Sequence, residues 1–134
     1  EISGITNKYG ASIYYAHEIG TDQVNSSGTS SIDAFIRSGD FDIEDGELFM
    51  SMRRFMPDYK FLVGNSKVTL FISDYPSDLQ SGSPLGPFTI TSTTDKVDTR
   101  ARGRLLSLKI ENDAAGETWR YGSFRMDAQP DGRR

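Results

Sequence analysis

The sequence predicts an all-β domain, an antiparallel β-sandwich of jelly-roll-like kind with a long bent C-terminal hairpin. Three observations carry this expectation. Roughly eight to ten short runs rich in β-branched and aromatic residues follow one another, and Gly, Pro, Asn and Asp break the chain about every eight to twelve residues. No stretch holds a sustained 3.6-residue apolar period. In the last third, two long runs with period-two alternation flank a polar turn at 111–118 that holds Asn112, Asp113 and Gly116.

Taken in order, residues 1–10 are polar, with isolated Ile2 and Ile5. Residues 12–19 (SIYYAHEI) read as a strand, with the single histidine, His17, at its end. A hydrogen-bonded structural histidine is the favoured role for it. Residues 20–31 form a loop by composition. Asn25-Ser26-Ser27 fits the glycosylation pattern, with no secretory context to support it. Ile32, Ala34 and Ile36 alternate, Ser38-Gly39 interrupts, and residues 40–43 form a second short piece with Phe41 and Ile43 aligned, closed by a turn at 44–46.

Residues 47–55 (ELFMSMRRF) place Leu48, Met50 and Met52 on one face and Phe49 and Phe55 on the other. Apolar residues on both faces indicate a central strand. A helical period also fits Leu48, Met52 and Phe55, but Gly46 and Pro57 leave too little room for a helix. A further run occupies 59–63. Residues 67–74 give the clearest strand, with Val68, Leu70 and Ile72 inward. Residues 75–87 read as a long exposed loop, and 88–94 as a half-exposed strand.

The C-terminal runs change phase part-way. Val97, Thr99 and Ala101 are odd, whereas Leu106, Leu108 and Ile110 are even; Trp119 and Tyr121 are odd, whereas Phe124 and Met126 are even. A one-residue slip turns every later side chain to the other face, so a bulge or bend is expected at Gly103 and Gly122. Reflection about the turn sets these glycines opposite each other in one kinked hairpin that gives a strand to each layer.

At 134 residues the chain is expected to be a single domain, 1–134, and a fragment cut from a longer protein, since it starts EISGITNKYG without Met. A net charge of −4 provides no global attraction for nucleic acid or an anionic membrane, and neither is expected as a partner. No apolar run approaches the roughly 18 residues of a membrane span. The absence of cysteine excludes disulfides and thiolate chemistry, and one histidine removes most zinc sites and acid–base triads. No enzyme activity, metal or cofactor is therefore expected.

The acidic run Asp40, Asp42, Glu44 matches the start of a calcium loop, but Asp45 stands where the glycine belongs and Ser51 where the glutamate belongs. Nothing selects a glycosidase pair among Asp40, Asp42, Asp113 and Glu117. Arg100, Arg102 and Arg104 share one parity, hence one face at about 7 Å spacing, with Arg120 and Arg125 on the following run. These five arginines are the candidate interface. They can pair with carboxylates across strands or in a neighbouring subunit, the favoured reading, or hold phosphate. Trp119 and Tyr121 can form a sugar-stacking platform or anchor the core, and anchoring is favoured.

Several motifs resemble a family of tailed-phage structural proteins. The segment RARGRLLSLKIENDAAGETWRYGSFRMDAQPDGRR carries R-x-R-G-R, W-R-x-G and a terminal P-D-G-R-R, each weak alone and fairly specific together. Upstream, YYAHEIGTD, IRSGDFDIEDGELF and RRFMPDYKF are similar in the same order, so the likeness spans most of the chain. Departures at Leu105 and Tyr121 touch packing alone. The resemblance implies a C-terminal domain of a tail, nozzle, hub or stabilisation protein. It implies a virion location, other tail proteins as partners, and homo-oligomerisation of the full-length protein. It brings no catalytic residues. The alternative is a carbohydrate-binding β-sandwich module that touches host-surface glycan.

Overall fold

The computed structural model describes residues 20–25, 28–43, 46–75 and 83–133. The strand expected at 12–19, with His17, lies outside them, as do Glu44 and Asp45. Among the described residues nine strands follow in order: β1 (Asp22–Asn25), β2 (Gly28–Ser31), β3 (Ala34–Arg37), β4 (Leu48–Val63), β5 (Ser66–Ser73), β6 (Ser83–Ile90), β7 (Val97–Gly103), β8 (Leu105–Asn112) and β9 (Thr118–Arg133). All pairings among the described strands are antiparallel. One sheet has the order β3-β8-β5-β6 and the other β7-β4-β9, with β1-β2 as a separate pair. The protein is an all-β sandwich, its two main layers holding four and three described strands.

The chain changes layer at short corners. β4 passes to β5 through Gly64-Asn65, where Gly64 has φ +73°, and β7 passes to β8 at Arg104. This second corner is the expected phase change. Val97 and Ala101 pack on the core before it, and Leu106, Leu108 and Ile110 after it. A Cβ added to Gly103 would sit 2.1 Å from Ile72 Cγ2, so β7 reaches β5 this closely only without a side chain. The Arg104 amide donates to the Ser73 carbonyl at 3.1 Å and fixes the turn.

The expected C-terminal hairpin does not form. β8 and β9 lie in different sheets, and β7 and β9 flank β4 on opposite sides. β9 instead pairs along its whole length with β4, from Leu48↔Arg133 to Val63↔Thr118. Period-two alternation decides which face a residue takes, but both edges of a strand offer the same hydrogen-bonding groups, so it does not choose the neighbour. The slip at Gly122 is real and belongs to this ribbon. Asp58 faces Ser123 and Tyr59 faces Tyr121, which leaves Gly122 as the extra residue. A Cβ there would meet the Asp58 carbonyl oxygen at 2.8 Å.

β4 joins the two runs expected at 47–55 and 59–63 into one strand that continues through Pro57. The last β4–β7 pair is Phe55↔Val97, so β4 is an edge strand by the time it reaches Pro57, where a missing N–H is tolerated. A register shift between Met52 and Arg54 makes Arg53 a bulge residue. The bulge moves Phe55 to the same face as Met50 and Met52, and not to that of Phe49 as the alternation predicts.

Met50, Met52, Phe55, Val68, Leu70, Ile90, Ala101, Leu106, Leu108 and Ile110 form the core between the layers. Phe55 stacks on Phe124 at 5.4 Å and meets Phe88 edge-on at 5.6 Å, which joins β4, β9 and β6. The segment expected as an exposed loop up to residue 87 ends within β6, an edge strand that carries Pro84 and Pro87. The β9 edge carries Pro130, and β7 presents Asp98, Arg100 and Arg102. The β3 edge differs, with Phe35 65% and Ile36 51% exposed.

Candidate functional site

Between β4 and β7, on the outer face of the three-stranded sheet, the Arg53 bulge opens a groove. Met52 pairs with Ala101 and Arg54 with Asp98, so Thr99 and Arg100 together oppose Arg53. Two residues against one widen the strand spacing and re-aim side chains. The groove encloses about 730 Å³, within the usual range for ligand sites. Arg53, Arg100, Arg102, Asp98, Ser51 and Thr99 line it, with buried Met52 and Ala101 among its walls.

The lining arginines differ in their ties. The Arg102 Nε donates to Asp131 Oδ2 at 2.6 Å, and its Nη2 donates to the Asp131 carbonyl at 3.3 Å. Its guanidinium also lies 4.2 Å from the centroid of the Phe49 ring. Arg104 covers the same ring at 5.2 Å, so Phe49 faces outward yet is only 7% exposed. Arg54 reaches Asp98 at 3.4 Å and Asp127 at 4.0 Å. Among the described residues no salt bridge joins Arg53 or Arg100 to a carboxylate, and both are exposed.

The predicted arginine set therefore separates. Arg100 and Arg102 share a strand face as expected. Arg104 stands past the corner and acts as a cover for Phe49. Arg120 and Arg125 pair with Phe61 and Met56 farther along the ribbon and stand apart from the groove. Sequence reasoning missed Arg53, Asp131 and Phe49. The doublet Arg53-Arg54 inside an otherwise alternating run was the available sign of a bulge.

Trp119 and Tyr121 both pack against the core. The Trp119 Nε1 donates to Asn112 Oδ1 at 3.0 Å, and the Asn112 Nδ2 donates to the Ile32 carbonyl at 3.2 Å. Asn112 is 5% exposed, a buried polar link between β8 and β9. Tyr121 meets Tyr59 edge-on at 78°, so the two rings offer no flat platform. Burial pushes the Tyr121 hydroxyl well above its ordinary 10.0, with Tyr59 and Asp58 adding to the rise. Burial also raises Tyr59, against a lowering hydrogen bond from Ser66.

The acidic candidates have local roles. Glu117 accepts the amides of Asp113 and Ala114, which caps the β8–β9 turn, and Asp113 pairs with Lys67. Asp22 accepts the Gly116 amide at 2.8 Å and ties β1 to that turn. Asp42 Oδ2 closes on Gly46, where a Cβ would lie 2.8 Å away. Among the described residues no three His, Asp or Glu side chains gather as a metal site requires, and no helix is long and apolar enough to cross a membrane. In comparison with known proteins, the chain matches no family model and no curated protein. The phage-tail resemblance thus rests on the motifs themselves.

Proposed function

We propose that this chain is a non-enzymatic structural domain of a phage tail component, which works in assembly by docking to other tail proteins. The observation that carries the reading is the guanidinium groove. Arg53 and Arg100 stand exposed and form no salt bridge among the described residues, whereas Arg54 and Arg102 beside them are paired with Asp98 and Asp131. Surface arginines left open in this way favour planar, bidentate contact with carboxylates of a partner. The R-x-R-G-R motif supplies two of the groove's three arginines, so the resemblance and the geometry draw on the same residues. Single contacts of this kind are weak, and repetition in a symmetric assembly supplies avidity. The glycan alternative finds less support, because Trp119 and Tyr121 are committed to the core.

Proteomics of purified particles, with native mass spectrometry of the full-length protein, tests this. The expected result is an oligomeric protein present in the virion. A strictly monomeric protein absent from particles overturns the reading.

A further inference from the structure

We propose that the β4–β7 groove binds an extended acidic peptide segment with carboxylates on alternate residues. This rests on the docking reading above and names the chemistry of the partner. Arg100 and Arg102 stand on one face of β7, two residues apart, which sets their side chains about 7 Å from each other. Carboxylates at i and i+2 of an extended peptide repeat at the same distance. A segment lying along β7 therefore sets one carboxylate at Arg100 and Arg53 and the next at Arg102.

The site is partly prepared for this. Asp131 and the Phe49 ring hold the Arg102 guanidinium in place. Asp131 uses only the Nε and one Nη2 donor, and a guanidinium carries five N–H donors, so further ones stay open to a ligand. The Ser51 and Thr99 hydroxyls in the lining add neutral hydrogen-bonding groups. The surroundings disfavour a nucleic acid strand. Asp98 and Asp131 flank the arginines, and the chain's net charge is −4, so a continuous row of phosphates meets repulsion on both sides of a short positive segment. Asp98 stands on the same face one two-residue step before Arg100, so the segment's carboxylate pair begins at Arg100 and the residue that reaches Asp98 has to be neutral.

Isothermal titration with two synthetic peptides of equal composition and charge tests the proposal. One alternates Glu with Ala over eight residues and the other carries four Ala followed by four Glu. The alternating peptide is expected to bind about tenfold tighter, with binding weakened by salt. The double variant Arg53→Ala/Arg100→Ala is expected to lose at least about tenfold, and Arg100→Lys to lose less, since an ammonium keeps the charge without the bidentate fork. Both arginines are exposed and unpaired among the described residues, so thermal unfolding of the variants should match that of the parent. Equal binding of the two peptides, an unchanged affinity in the double variant, or tighter binding of an oligonucleotide of equal charge overturns the proposal. If the peptides fail while the protein is still found in purified particles, only the peptide inference falls. If the protein is absent from particles, the docking reading falls whatever the peptides do.

Discussion

At the scale of single residues, the buried polar groups decide most. Asn112 satisfies Trp119 and the Ile32 carbonyl at once. Asn112→Ala leaves both part-buried partners without their hydrogen bonds and is expected to cost about 1–2 kcal/mol, read by urea unfolding. Tyr121 is the opposite case. Its hydroxyl is buried with no partner among the described residues, so Tyr121→Phe is expected to hold or raise stability, by up to about 1 kcal/mol. The same residue gives the protein an alkaline limit. A phenol whose folded-state pKa lies above its unfolded value keeps its proton longer in the native state. The unfolded chain then binds fewer protons, and stability falls with rising pH. Tyr121 and Tyr59 are both raised, so their contribution is complete below pH 10.0 and is lost progressively above it. Lys67, raised by its hydrogen bond with Asp113, acts in the same direction. Unfolding curves from pH 8 to 11 should show this decline, shallower in Tyr121→Phe. A flat profile would show that burial of these hydroxyls does not control the titration.

At the scale of elements, the two C-terminal glycines do different work. Gly103 sits against Ile72 in the corner between layers, where neither side has slack, and Gly122 sits against the Asp58 carbonyl in a surface ribbon. Gly103→Ala is expected to destabilise by about 1–3 kcal/mol, and Gly122→Ala by less, because a two-stranded ribbon can flex where a packed corner cannot. Differential scanning calorimetry of the two variants reads the order directly; the reverse order would contradict the packing described. The phase slips at these glycines were legible in the sequence because parity is a local property. The inward faces of β5, β7 and β8 were legible for the same reason. Strand neighbours were not. β4 ends at Val63 and its partner β9 begins at Thr118, and no local pattern links them. The same gap hid half of the groove. Arg100 and Arg102 could be set on one face from their spacing, whereas Arg53 joins them only through a pairing between distant strands.

At the scale of the whole molecule, the described strands of the two layers leave four edges. The proline-bearing β6 and β9 and the charged β7 are poor templates for further strands, as natural edge strands are. β3 is different. Among the described residues it pairs with β8 on one side only, and it presents Phe35 and Ile36 to solvent. Such an edge limits how concentrated the isolated domain can become before it aggregates. Phe35→Lys is expected to raise the solubility ceiling several-fold in light-scattering assays while leaving the melting temperature nearly unchanged. An unaltered ceiling would mean that precipitation starts elsewhere on the surface.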